Sequence, residues 1–135
     1  MVERWEPVQI SEIDKKYGRA EYAKIIDDEH GLRIELVFEN DSRVRFLFET
    51  SVLAYNVCDE GRRLKTLNFF IEQYGLGMFG KYPVYIVENS GYIKWFNEEC
   101  YDAFSKYTIS HYVFVTSTDI IDILTTYAPQ VSVIH

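Results

Sequence analysis

The stretch LRIELVFENDSRVRFLFE, residues 32–49, restricts the fold more than any other part of the chain. Leu32, Ile34, Leu36 and Phe38 alternate with Arg33, Glu35, Val37 and Glu39; beyond Asn40-Asp41-Ser42, Val44, Phe46 and Phe48 alternate with Arg43, Arg45, Leu47 and Glu49. Period two on both sides of a turn-forming tripeptide predicts a β-hairpin with one buried face. On its opposite face arginine can stand across from glutamate. Such a hairpin is not stable alone, so the rest of the chain must supply a partner for its apolar face.

The following segments supply one. Glu21–Asp27 reads as a strand before the turn DDEHG, and SVLAYNV as a strand after the hairpin, with Leu53, Tyr55 and Val57 in register. Asp59 is then an N-cap candidate for a helix through EGRRLKTLNFFIEQYG, whose Leu64, Leu67, Phe70, Ile71 and Tyr74 recur at helical spacing and which Gly75 ends. PVYIV reads as a buried strand, and Asn89 or Ser90 caps a second helix carrying Tyr92, Phe96 and Cys100 on one face with Trp95 beside them. YTISHYVFV is a strand. Residues 118–126 fit a strand or a short capped helix; β-branched Ile and Thr favour the strand, and VSVI adds a short edge after Pro129. Residues 1–19 read as irregular, with a helical turn near Ser11–Lys16. Strands in blocks around two helices predict one α+β domain over 1–135, a mainly antiparallel sheet of six to eight strands with both helices packed on it.

The segment YGLGMFGKYP contains G-x-G-x-x-G at Gly75, Gly77 and Gly80. A pyrophosphate-binding loop follows a strand and opens a helix; here a helix precedes and a strand follows, so no dinucleotide cofactor is expected. His30, His111 and His135 form no metal-binding spacing, and DDEH, the best local donor cluster, reads more simply as a solvated turn. Cys58 lies beside Asp59 and Glu60, whose charge disfavours a thiolate, and Cys100 sits on an apolar helical face. No G-x-S-x-G occurs, and the paired acids Glu98/Glu99 and Asp119/Asp122 are unremarkable in so acidic a chain. The expectation is therefore a protein that is not an enzyme, with no catalytic residue, metal or cofactor.

Charge narrows the partners. Fourteen Lys and Arg face 21 Asp and Glu, a formal net charge of −7, which repels nucleic acid and suits a basic protein. No apolar run is long enough to span a bilayer. The charged N-terminus is not a signal peptide, and two cysteines make no disulfide framework, so the expected setting is the cytoplasm with no membrane partner. A tryptophan at the margin of a helical stripe, beside acids, is the kind of side chain that anchors interfaces. The candidate partner-binding residues are Asp59, Glu60, Trp95, Glu98, Glu99, Asp119 and Asp122.

FETSVLAYNVCDEGRRLKTL (48–67), VENSGYIKWFNEECY (87–101) and HYVFVTSTDIIDILTTYAPQV (111–131) together resemble a family of small uncharacterised proteins of Bacillus and related Gram-positive bacteria, some encoded beside polymorphic toxins. The shared patterns are E-N-S-x-Y-I-x-W-F and H-Y-x-x-x-T-x-x-D, with a departure at Asn56, where a basic residue is expected. The resemblance implies no catalytic residue. It implies an immunity protein, an acidic chain that blocks a basic toxin domain by occlusion. Two readings stand beside it: a small-ligand binder or enzyme with a pocket between the sheet and the second helix near Glu88, Asn89 and His111, and a homodimeric scaffold.

Overall fold

A computed structural model of the chain describes residues 2–13, 19–49, 52–75, 77 and 81–134. These residues form nine strands and two helices, an α+β fold in the predicted order of strand block, helix, strand, helix, strand block. The strands are β1 (Arg4–Pro7), β2 (Ala20–Asp28), β3 (Gly31–Phe38), β4 (Arg43–Phe48), β5 (Val52–Asp59), β6 (Val84–Glu88), β7 (Ser110–Val115), β8 (Asp119–Thr125) and β9 (Gln130–Ile134); the helices are α1 (Leu64–Tyr74) and α2 (Gly91–Glu99). All pairings are antiparallel, and the strands divide into two sheets where one was expected. A five-stranded sheet runs β1-β6-β7-β8-β5, and a four-stranded sheet runs β2-β3-β4-β9.

The hairpin forms as its alternation requires, with Ile34 opposite Phe46 and Leu36 opposite Val44. Glu35 and Arg45 face each other across it, joined at 2.9 Å, the cross-strand charge pair that the sequence pattern allows. The apolar face of β3 and β4 packs on Tyr112 and Phe114 of β7 and Ile121 and Ile123 of β8. Phe114 is edge-on to Phe46 at 4.9 Å and to Phe48 at 6.2 Å, the geometry aromatic rings prefer. The two sheets therefore stack face to face.

Side chains alternate along a strand, so Val113, Val115 and Ile120 point to the other side of the five-stranded sheet. There they meet Trp5, Tyr85 and Val87, and Phe70 of α1 closes the cluster. Phe70 lies 5.3 Å from both Trp5 and Tyr85 and 4.9 Å from Tyr74, whose hydroxyl accepts the Trp5 backbone N–H at 2.9 Å. Burial raises the Tyr85 hydroxyl above its ordinary pKa. The predicted irregular N-terminus is corrected here: Arg4–Pro7 pairs with β6, because Trp5 has a full aromatic pocket to enter. Of the predicted helical turn near Ser11–Lys16, residues 11–13 form a turn, with the Ile13 N–H on the Ile10 carbonyl at 3.0 Å, and residues 14–16 lie outside the described residues.

Residues 118–126 settle as strand, with β8 between β7 and β5 and Ile120–Thr125 buried. α1 starts later than expected. Asp59 accepts the Gly61 N–H at 2.8 Å and opens a single 3-10 turn, Glu60–Arg62, before the α-helix begins without a side-chain cap. Gly75 ends α1 at φ 83 and ψ 165, its N–H on the Ile71 carbonyl; that backbone conformation is open essentially to glycine alone. Helix precedes and strand follows the glycine motif, the reverse of a dinucleotide site; residues 76 and 78–80 lie outside the described set. Among the described residues no helix is long and apolar enough to cross a membrane.

Phe114 joins the two sheets through ring contacts on one side and is 0% exposed. Phe114→Ala should lower stability in urea denaturation by about 3–5 kcal/mol; a loss under about 1 kcal/mol would contradict the packing described.

Candidate functional site

Two groupings of polar side chains stand out, one buried and one open. The buried one links four elements. Ser90, at the N-cap of α2, has its oxygen on the Ile93 N–H at 3.1 Å, while Ser90 Oγ and His111 Nδ1 of β7 are 2.7 Å apart. His111 Nε2 lies 2.7 Å from Asp122 Oδ1 of β8. The other Asp122 oxygen accepts from Arg63, which also donates to Thr66 Oγ1 at 3.2 Å. In the neutral imidazole one hydrogen assignment satisfies every group: the Ser90 O–H donates to Nδ1 and Nε2–H donates to the carboxylate. The opposite tautomer would set a ring lone pair against a carboxylate oxygen. Asp122 and His111 are 4% and 3% exposed, and Tyr92 lies edge-on to the imidazole at 5.5 Å. Burial first, and the Asp122 charge second, raise the Tyr92 hydroxyl pKa.

Serine, histidine and aspartate in hydrogen-bonded sequence are the parts of an acyl-transfer site. Three features separate this group from one. The Ser90 oxygen is engaged in capping α2. The Gly91 N–H, the backbone amide that follows Ser90, already donates to Glu3 Oε2 at 2.7 Å. Arg63 holds the second oxygen of Asp122. The arrangement fastens the starts of α1 and α2 to β7 and β8. Of the other residues near which a pocket between sheet and second helix was expected, Glu88 pairs with Arg4 at 2.6 Å, while Asn89 donates to the Val2 carbonyl at 3.2 Å and borders an open depression along α2 with Ser90 and Ile93.

The open grouping is a cleft of about 470 Å³ where α2, the start of β5 and the β2–β3 turn meet. Its aromatic wall is Tyr92 and Trp95, stacked at 5.6 Å and 24°, with Tyr55 from β5. Four carboxylate residues line it: Asp27, Asp28, Glu29 and Glu49. Tyr55 donates to Asp27 at 3.1 Å, a bond that, ahead of burial, raises the pKa of its hydroxyl. Asp28 accepts the His30 N–H at 2.9 Å and pairs with Arg33 at 2.6 Å; the His30 amide foremost, then Arg33, holds its carboxyl below the ordinary range. A depressed carboxyl favours the turn while ionised, and that contribution is lost as the pH falls through its titration range. Gly31 lets the acidic turn lie against the end of β4: its φ is 105, and a Cβ there would stand 2.3 Å from the Glu49 carbonyl oxygen.

The structure separates the residues expected to bind a partner. Trp95 is 49% exposed and lines the cleft. Glu99 is exposed one turn further along α2, whereas Glu98 borders a depression on the helix's other side with Glu3, Lys94 and Asp102. Asp59 and Asp119 face each other at the far end of the β5–β8 pairing, about 13 Å along the strand from Tyr55. Glu60 lies in the 3-10 turn, and its side chain is outside the described residues. Asp122 is corrected: buried and paired with His111 and Arg63, it is withdrawn from the surface. The stripe on α2 is shallower than a core stripe: Tyr92, Phe96 and Cys100 are half-buried on one face, Lys94, Trp95, Glu98 and Glu99 are exposed on the other, and Cys100, like Cys58, forms no disulfide. Sequence reading passed over Tyr55, Glu49 and the acids of the DDEH turn as an interface, because their meeting with Trp95 is tertiary; the turn's acidity was the visible signal.

Among the described residues no three His, Cys, Asp or Glu side chains form a group able to hold a metal. Comparisons with protein-family models, curated proteins and solved structures returned no match.

If the buried group is structural, Asp122→Ala should destabilise by on the order of 3 kcal/mol, because Arg63 loses its carboxylate. Ser90→Ala should cost about 1 kcal/mol through the lost cap. A fluorophosphonate should leave the folded protein unlabelled; an adduct on Ser90 would contradict this assignment.

Proposed function

We propose that this chain is a protein-binding domain whose acidic, aromatic cleft receives a basic partner, and that its role is of the immunity type, occluding a basic toxin domain without chemistry of its own. The observation that carries the reading is the Tyr92–Trp95 stack, its tryptophan exposed, lining one open cleft together with Asp27, Asp28, Glu29 and Glu49. Flat aromatic faces supply area that releases water on contact, and tryptophan and tyrosine dominate binding energy at interfaces. The carboxylates set the sign of the partner and speed its approach, in keeping with a net charge of −7. The cleft is wide open to solvent, a shape that suits side chains presented by another surface more than an enclosed small molecule.

A stoichiometric basic partner is expected, with affinity that weakens as salt rises. Trp95→Ala should weaken binding by about 2 kcal/mol in calorimetric titration, and Glu29→Lys with Glu49→Lys should slow association most at low salt. Binding that ignores all three changes would remove the cleft as the site. Equal toxin sensitivity of cells with and without the gene would remove the immunity role.

A further inference from the structure

The cleft is continuous with a sheet edge that is unpaired among the described residues, and that continuity says what shape of partner fits it. Each of the two sheets ends in two edge strands, which natural proteins protect with charge, proline, bulges or brevity. β1 is four residues long, carries Arg4 and Glu6 and ends at Pro7. β2 carries Glu21, Lys24, Asp27 and Asp28 and an irregularity in its pairing between Ala20 and Tyr22. β9 has five residues. β5 has eight, VLAYNVCD, its only charge is Asp59 at the end, and its pairing irregularity is confined to Val52–Ala54. Among the described residues β5 pairs with β8 alone, and Tyr55 and Val57 are 40% and 43% exposed.

We infer that β5 accepts an extended, arginine-bearing segment of a partner protein as an added strand, with an arginine guanidinium lodged in the cleft against the Tyr92–Trp95 stack. This rests on the protein-binding reading above and adds its mode. An added strand joins its backbone N–H and C=O groups to those left on the edge, while alternate side chains project to one face. A strand running along β5 past Tyr55 brings such a side chain to the cleft, where Asp27, Glu29 and Glu49 surround it with negative charge. Arginine suits the place better than lysine. Its planar group stacks on aromatic faces and holds carboxylates two-pronged, whereas an ammonium is a compact, strongly hydrated charge. Charge complementarity therefore selects a basic segment over a second copy of this acidic chain.

The test uses the intact protein and a synthetic peptide of alternating arginine and valine, followed by tryptophan fluorescence. Trp95 is the exposed reporter and Trp5, 2% exposed, the silent one. Saturable binding at low salt is expected, with no response to a glutamate–valine peptide. Two further peptides carry N-methyl groups on every second residue, one in each phase, so that the charges stay while one backbone edge or the other is blocked. One phase should bind at least about tenfold more weakly than the parent, a difference of about 1.4 kcal/mol, and the other should bind as the parent does. Equal binding of both phases and the parent would overturn strand addition yet leave the cleft as a basic site. No binding of the parent would overturn both. A lysine–valine peptide binding as tightly as the arginine one would overturn the stacked guanidinium. A concentration-dependent dimer that Val57→Arg disperses would instead assign the β5 edge to a second copy.

Discussion

The centre of the five-stranded sheet, β7 and β8, is buried on both faces, and most of the structure follows from covering it. Residues Ile120 to Thr125 of β8 are all buried, so each side of the strand needs its own layer. The hairpin covers one with Phe46 and Phe48; α1 covers the other with Phe70. Asp122 lies within that second face, and a buried carboxylate requires both charge and hydrogen-bond partners. Arg63 at the head of α1 and His111, backed by Ser90 at the head of α2, provide them. The positions of both helices are thus tied to one strand by a connected set of polar contacts.

That tie also determines the surface. With the start of α2 fixed by Ser90, Tyr92 leans on the imidazole and Trp95, one turn further on, projects to the rim beside β5. The acidic turn reaches the same place through Gly31, which lets it lie against Glu49. A core constraint on one face of α2 and an exposed aromatic surface on the other are carried by neighbouring residues. A change at His111 or Asp122 would therefore reach the cleft through α2 although neither residue touches it.

The sequence exposed those parts that depend on local periodicity. The hairpin, its arginine–glutamate pair, the Ser90 cap, Gly75 as the end of α1 and the strand at 119–125 all follow from short-range patterns. The split into two sheets was not legible, because alternation along a strand does not say which strand lies beside it. β1 was missed because its four residues carry charge at Arg4 and Glu6 and depend on a pocket for Trp5 built from distant residues. Asp122 was mistaken for a surface acid because its partners, Arg63 and His111, come from separate elements. The cleft was half visible: Trp95 stood out at the margin of its helix and DDEH stood out as acidic, yet nothing in the chain's order places them together.

The central claim is that a basic segment is received where α2, β5 and the β2–β3 turn meet. Amide chemical-shift mapping of the labelled protein during titration with the arginine–valine peptide tests it most directly. The account predicts saturable shifts centred on residues 27–31, 52–57 and 92–95, with the Asp59–Asp119 end unchanged. Shifts centred on that far end or on the Glu98 side of α2, or no saturable shifts, would contradict it.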